Sequence, residues 1–464
     1  MAAESVTQSA ERRCAASVFA SLCAELPGLI SERIRGRVAS VEGMVVAAEG
    51  LPAPVGAGCS IHTGRDGAVE AQVVGLKADR AILSVFGEAT GITPGDVVEC
   101  VSGVARVPVG EALLGRVIDA RGRALDGRPA PVLNARYALY SDPPGPLERR
   151  PIDEPLGLGV RAIDALLTAG RGQRLGIFAG TGVGKSVLMG MICRHTQADA
   201  NVVALVGERG REVREFVENQ LGPQALARSV VLACTSDEAP AMRVRACFHA
   251  TAIAEFLRDQ GMNVLLMMDS LTRVAMAQRQ LGLAAGEPPT AKGYPPSTFA
   301  LLPRMLERAG RTQNGSITGI YTVLVEGDDI GEPLADAVRG ILDGHIWLSR
   351  ALANRGQFPA VDVLNSISRV AVDVTDAAQR EAARLVRKVL AVWNDIEDLV
   401  SIGAYVPGAN RDYDVAVKMR ESIARFLTQD RAQGQTFEQT SAELAALADE
   451  IRKCEAAAAS AAAR

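Results

Sequence analysis

Ala179-Gly180-Thr181-Gly182-Val183-Gly184-Lys185-Ser186 is the stretch from which the fold can be read. It follows the apolar run 175–178 and opens a helix-compatible stretch that begins at Val187 and reaches Cys193. Strand, glycine loop and helix in that order are what a phosphate-binding loop requires. The glycines let the backbone turn tightly and aim its N–H groups inward, and the new helix adds the positive end of its dipole. Lys185 can then reach β- and γ-phosphates, and the Ser186 hydroxyl can ligate Mg²⁺. The loop departs from the strict pattern only at its entrance, where Ala179 stands in place of glycine.

Two carboxylates extend this loop into a site. Asp269 closes the apolar run 264–268, so its carboxylate falls at the C-terminal edge of a strand, beside the phosphates, where it can orient Mg²⁺. Glu208 follows the apolar run 202–206 within Gly207-Glu208-Arg209-Gly210-Arg211-Glu212-Val213. At such a strand end it could position an attacking water, because phosphoryl transfer needs mainly placement and charge neutralisation. Arg209 either neutralises phosphate or pairs with an acid. Phe358 is either a core aromatic or a cover for a nucleotide base.

Composition bounds the rest. A chain of 464 residues allows about two to four domains. With 48% apolar and 22% charged residues it has an ordinary globular composition. The net charge of −4 and the 4% aromatic content argue against a nucleic-acid partner. The eight cysteines are scattered, with no Cys-x-x-Cys pair, which fits reduced thiols in the cytosol. The four histidines show no metal-ligand spacing. No apolar run approaches a membrane span, so any membrane association is expected to be peripheral.

Residues 1–27 read as a helix, either packed on its own domain or docking a partner or a membrane surface. Residues 28–105 hold short β-rich runs at 37–41, 44–48, 60–62, 69–74, 81–86 and 97–101, separated by turn signals, which suggests a small closed barrel. The stretch 106–140 reads as a strand and turn joining barrel to core. Within 106–372, apolar runs at 175–178, 201–206, 230–233, 263–268 and 316–325 alternate with helical patterns, the signature of a parallel α/β sheet. From 373 to 464 the periodicity is helical, as at 377–393 and 416–428, and the alanine-rich end 456–463 is expected to fray.

With Asp269-Ser270-Leu271-Thr272-Arg273, Lys292-Gly293-Tyr294-Pro295-Pro296-Ser297, Glu326-Gly327-Asp328-Asp329, the segment 341–346 and the segment 359–369 added to the two motifs above, the chain resembles the type III protein-export ATPases of flagella and virulence injectisomes. These are similar to the rotary ATP synthase α and β subunits. The resemblance covers about 30–430 and implies a β-barrel, a RecA-like P-loop ATPase core with a parallel sheet, and a helical C-terminal domain. It implies that the backbone from Gly180 to Val187 (Gly180, Thr181, Gly182, Val183, Gly184, Lys185, Ser186 and Val187) holds nucleotide. It further implies that Ser186 and Asp269 serve Mg²⁺, that Glu208 is the catalytic carboxylate and that Arg273 joins the γ-phosphate network. Phe358 aligns with an adenine-stacking aromatic, and Arg369 with an arginine finger acting across a subunit boundary.

That finger in turn implies a homohexamer. The residues around 287–297 would face a central pore where a coiled-coil stalk protein docks. The N-terminal helix would bind a negative-regulator subunit and help recruit the enzyme to the inner membrane, beside export-gate membrane proteins. Chaperone–cargo complexes would meet the C-terminal domain. Rotary β subunits carry an acidic helix-turn-helix where this chain has Ile402-Gly403-Ala404-Tyr405-Val406-Pro407-Gly408, an export-type segment. That difference weighs against a rotary catalytic subunit, and the aromatic-poor barrel weighs against a hexameric RNA translocase. Glu208 and Arg369 together weigh against a non-catalytic nucleotide-binding subunit. The segments 146–153 and 91–96 look more flagellar than injectisome-type.

Overall fold

The computed structural model of the chain describes residues 34–64, 67–103, 105–325 and 331–462. The expected N-terminal helix at 1–27 and the Glu326–Asp329 motif lie outside the described residues. Each of the six β-rich runs forms a strand: β1 (Arg35–Glu42), β2 (Val45–Glu49), β3 (Gly58–Thr63), β4 (Gly67–Lys77), β5 (Arg80–Val85) and β6 (Val97–Ser102). They close into a barrel in the order β1-β2-β5-β4-β3-β6. Closure leaves no free edge, and alternate residues such as Val46, Ile61, Leu83 and Val98 fill the interior completely shielded from water. The β1–β2 turn works because Gly43 takes φ +62°, a left-handed conformation that costs glycine nothing.

β7 (Arg106–Val109) pairs with β9 (Ala135–Ala138), and between them β8 (Arg116–Asp119) leaves to join the core. The stretch expected only to bridge barrel and core therefore supplies an edge strand of the main sheet. After the short ladder of β10 (Pro155–Leu156) with β11 (Ala169–Gly170), the core strands follow. They are β12 (Arg174–Ala179), β13 (Ala200–Glu208), β14 (Ser229–Thr235), β15 (Asn263–Asp269), β16 (Gly310–Arg311), β17 (Ser316–Leu324), β18 (Gly344–Leu348) and β19 (Val361–Ser368). The sheet order is β19-β18-β12-β17-β15-β13-β14-β8, with β16 folded back on β17. Every neighbouring pair from β18 to β8 is parallel, and β19 closes one edge antiparallel to β18. The apolar runs of β12, β13 and β15 are continuous because helices cover both faces.

Beyond the sheet, helices Ala377–Ser401, Arg411–Leu427 and Phe437–Ala462 each pack on the other two. Asp376 and Asn410 cap the first two by accepting backbone N–H bonds from Gln379 and from Asp412 and Tyr413. The alanine-rich end does not fray as expected: the last helix runs to Ala462. Alanine has the highest helix propensity, and Leu444, Ala448 and Ile451 anchor the preceding turns in the core. No described helix is long and apolar enough to cross a membrane.

One buried ion pair fastens the linker below the barrel to the core. Arg308, fully shielded from water, donates to both carboxylate oxygens of Glu255 (2.8 and 2.6 Å) and to the Leu139 carbonyl (2.7 Å). Its guanidinium also lies 5.8 Å from the Phe248 ring centroid. Removing one member strands the other charge without solvent, so Glu255→Ala should destabilise the fold by about 3–5 kcal/mol. Chemical denaturation of the two proteins measures this, and an unchanged midpoint would mean the pair contributes nothing.

Candidate active site

The parallel sheet gathers the functional side chains at the C-terminal ends of its strands. β12 delivers the glycine loop, whose Gly182 and Gly184 adopt φ +78° and +93°. The helix Lys185–His195 starts at once, so Lys185 and Ser186 sit in its first turn. β13 ends on Glu208 and β15 on Asp269; β15 lies two strands from β12, and β13 is its next neighbour. An open cleft of about 450 Å³ is lined by Gly180, Thr181, Gly182, Gly184, Lys185, Ser186, Val187, Glu208, Arg209, Glu212, Arg273 and Leu324. The residues expected from the sequence are all among them except Val183, Asp269, Phe358 and Arg369.

At its floor the Lys185 ammonium contacts the Asp269 carboxylate and lies 3.8 Å from Glu208 Oε1. Thr322 on β17 donates its hydroxyl to Asp269 Oδ1 at 2.6 Å and fixes that carboxylate. Burial pushes the Glu208 carboxyl up to about 7, and the Asp269 charge pushes in the same direction; Lys185 and Arg273 pull back. Glu208 also shares a hydrogen bond with Glu212, whose own pKa falls because that bond favours its charged form. Within this carboxyl pair, burial raises the pKa of Glu208 while the shared hydrogen bond lowers that of Glu212.

Arg273 is locked beside Gly207: a Cβ added to that glycine would come within 2.9 Å of the arginine's own Cβ. Ser270 caps the helix Leu271–Ala284 by accepting from the Arg273 N–H. Arg209 sits at the rim, 73% exposed and 3.6 Å from Glu212, so its structural partner is an acid. Phe358 is 46% exposed and therefore not a core aromatic. Its ring lies beside the loop, 3.7 Å from where a Gly184 Cβ would stand.

Arg369 is the expected site residue that the fold does not bring to this cleft. Ser368 pairs with Gly344, and the Arg369 N–H donates to the Asp343 carbonyl, which is level with Arg174 at the start of β12. The glycine loop leaves the other end of β12, about 17 Å away at the usual strand rise. Arg369 is exposed there, on the antiparallel edge of the sheet. Two participants were not singled out from the sequence. Thr322 is one of several hydroxyl-bearing residues in the buried strand β17, and only the register of β15 with β17 exposes its role. Glu212 lies in the same motif as Glu208 but on the helix Gly210–Glu215 that follows it, and only the fold brings its carboxylate back to the strand end.

Comparison with known proteins agrees with this architecture. The ATP synthase alpha/beta family nucleotide-binding domain matches residues 159–368, and the β-barrel domain of the same family matches 38–101. The T3SS EscN ATPase C-terminal domain matches 375–446. The chain is 52% identical to the flagellum-specific ATP synthase of Bacillus subtilis over 414 residues, covering 89% of this chain and 94% of that one. It is 47% identical to a type 3 secretion system ATPase of Xanthomonas euvesicatoria over 428 residues, 92% of this chain and 97% of that one. Among solved structures, the assembled ATPase EscN of the enteropathogenic E. coli type III secretion system superposes with a TM-score of 0.83 at 44% identity. That match covers 89% of this chain and all 100% of that one. EscN in complex with its central stalk EscO gives 0.82 at 44% identity, covering 89% and 100%. A P-loop cleft at the edge of a parallel sheet, a closed barrel before it and an export-type helical domain after it thus converge: this chain belongs to the ATP synthase α/β family, among its type III export ATPases.

Proposed function

We propose that the chain hydrolyses Mg²⁺-bound ATP to ADP and phosphate and uses the cycle to release chaperones and promote substrate entry into a protein-export gate, with flagellar assembly the favoured system. The observation that carries the reading is the Lys185–Asp269–Glu208 cluster at the mouth of the glycine loop. The backbone from Gly180 to Val187 cradles the phosphates, and Lys185 leaves its carboxylate partners for the β- and γ-phosphates. Ser186 and Asp269 offer a hydroxyl and a carboxylate in one cleft, the hard oxygen donors that suit Mg²⁺ beside phosphate. When bound, the ion neutralises charge on the phosphoryl oxygens. Glu208 positions the attacking water once deprotonated, Arg273 steadies the γ-phosphate, and Arg209 at the rim supplements that charge. Phe358 stacks on adenine.

Arg369 supplies the transition-state charge to a neighbour's site, since its own lies at the far end of β12. Sites completed between subunits call for a ring, here a homohexamer with a stalk protein in its pore, as EscN has a central stalk in EscO. Resemblance alone supports the remaining partners: a negative regulator at 1–27, export-gate membrane proteins, and chaperone–cargo complexes at 373–464. It likewise supports a cytoplasmic enzyme associated peripherally with the inner membrane. The segments 146–153 and 91–96 favour a flagellar system over an injectisome. The division into 1–27, 28–105, 106–372 and 373–464 accompanies this reading, supported by the end of β6 at Ser102 and of β19 at Ser368.

Three measurements follow from these roles. Lys185→Ala should lose tight ATP binding, and calorimetry showing unchanged affinity would remove Lys185 from the phosphate site. Arg369→Ala should bind ATP normally and lose about 10³–10⁵-fold in turnover, the range typical of an arginine finger; near-normal turnover would make it an ordinary surface cation. Because Glu208 is held neutral up to about 7, it becomes a usable base only as pH rises through that value. The kcat/KM for ATP, which reports the free enzyme, should therefore fall as pH drops through about 7. A profile flat down to the ordinary carboxylate range would contradict the role of Glu208.

A further inference from the structure

Where the barrel meets the core, a cleft of about 490 Å³ is lined by five guanidinium-bearing residues. Arg106 comes from β7, Arg121 and Arg123 from the turn after β8, Arg136 from β9, and Arg245 from the helix Pro240–Asp259. Glu70 on β4 is the one carboxylate of the lining. It accepts from Arg121 Nε at 3.1 Å, and Arg121 also donates to the Phe86 carbonyl at 2.7 Å. The nearby Asp119 is already engaged, accepting the backbone N–H groups of Arg121 and Arg123 at 2.8 Å each.

Positive charge therefore exceeds its local compensation. Arg245 lies over the Phe86 ring, 5.8 Å from its centroid, and makes no hydrogen bond or salt bridge among the described residues. The side chains of Arg106 and Arg123 likewise make none among the described residues. Burial lowers the Arg245 pKa and Arg121 adds to it, with only partial relief from Tyr140, Glu70 and Asp119. Gathering like charges around one concavity is unfavourable unless an anion completes the set. Guanidinium forks match phosphate oxygens two at a time, and several forks facing one concavity suit an anion with several phosphoryl groups. The volume falls within the range of small-ligand sites. Its walls belong to both barrel and core, which favours a small soluble ligand over a flat membrane.

We propose that this cleft binds a soluble polyphosphate anion of the di- or triphosphate class, which joins barrel to core. The site is separate from the glycine loop and stands whether or not the catalytic roles above are right. Calorimetry with inorganic tripolyphosphate tests it in the full chain, in a Lys185→Ala background that removes the loop as a competing phosphate site. Tripolyphosphate should still bind there. Adding Arg106→Glu and Arg123→Glu should weaken binding by at least about tenfold, the scale of losing charge-assisted hydrogen bonds. Both side chains are exposed and unbonded, so the fold should survive; Arg106→Gln with Arg123→Gln provides a milder pair should it not. Absence of binding in the Lys185→Ala background, or equal affinity in the arginine variants, would overturn the proposal. So would arginine-dependent binding to phosphatidylglycerol vesicles without binding of tripolyphosphate, which would reassign the cleft to lipid headgroups.

Discussion

One ammonium held between two carboxylates organises the catalytic end of this molecule. Lys185, in the first turn of the helix after the glycine loop, contacts Asp269 and lies within Coulombic reach of Glu208, and the two carboxylates end parallel strands buried on both faces. Asp269 is steadied by Thr322, whereas burial and its neighbour's charge push the pKa of Glu208 up. Incoming phosphates compete for the ammonium that holds this arrangement together.

The same sheet imposes a geometric limit. In a parallel array the strand ends that face the nucleotide all lie on one side, and an antiparallel edge strand must finish on the other. β19 is that strand, so Arg369 emerges about 17 Å from its own glycine loop at the usual strand rise. A side chain of this length cannot cross that gap. Under the proposed role of Arg369, hydrolysis is a property of an assembly, which is how the fold connects to the proposed ring.

Much of this was legible in the sequence because the signals were local. A glycine loop between strand and helix, and acids closing the apolar runs 202–206 and 264–268, identify a strand edge without any knowledge of pairing. Six short β-rich runs separated by turn residues gave the barrel. What escaped depended on register or on propensity. β18 is five residues long with His345 and Trp347 inside it, and β19 mixes Asp362, Asn365 and Ser366 with apolar residues, so neither carries a buried-strand pattern. Thr322 acquires a role only when β17 lies beside β15. The final helix is held by alanine propensity, which periodicity does not detect. Arg209 could be read two ways, and the cleft places it against Glu212 at the rim.

An active site completed by the adjoining subunit, as proposed, ties turnover to assembly. Specific ATPase activity measured against protein concentration, with Arg369→Ala alongside, tests it most directly. Activity per subunit should rise as rings assemble, or stand at a high plateau if they are already formed, with Arg369→Ala inactive throughout. Activity that is independent of concentration and indifferent to Arg369→Ala would mean that each chain carries a self-sufficient site, and would contradict the account.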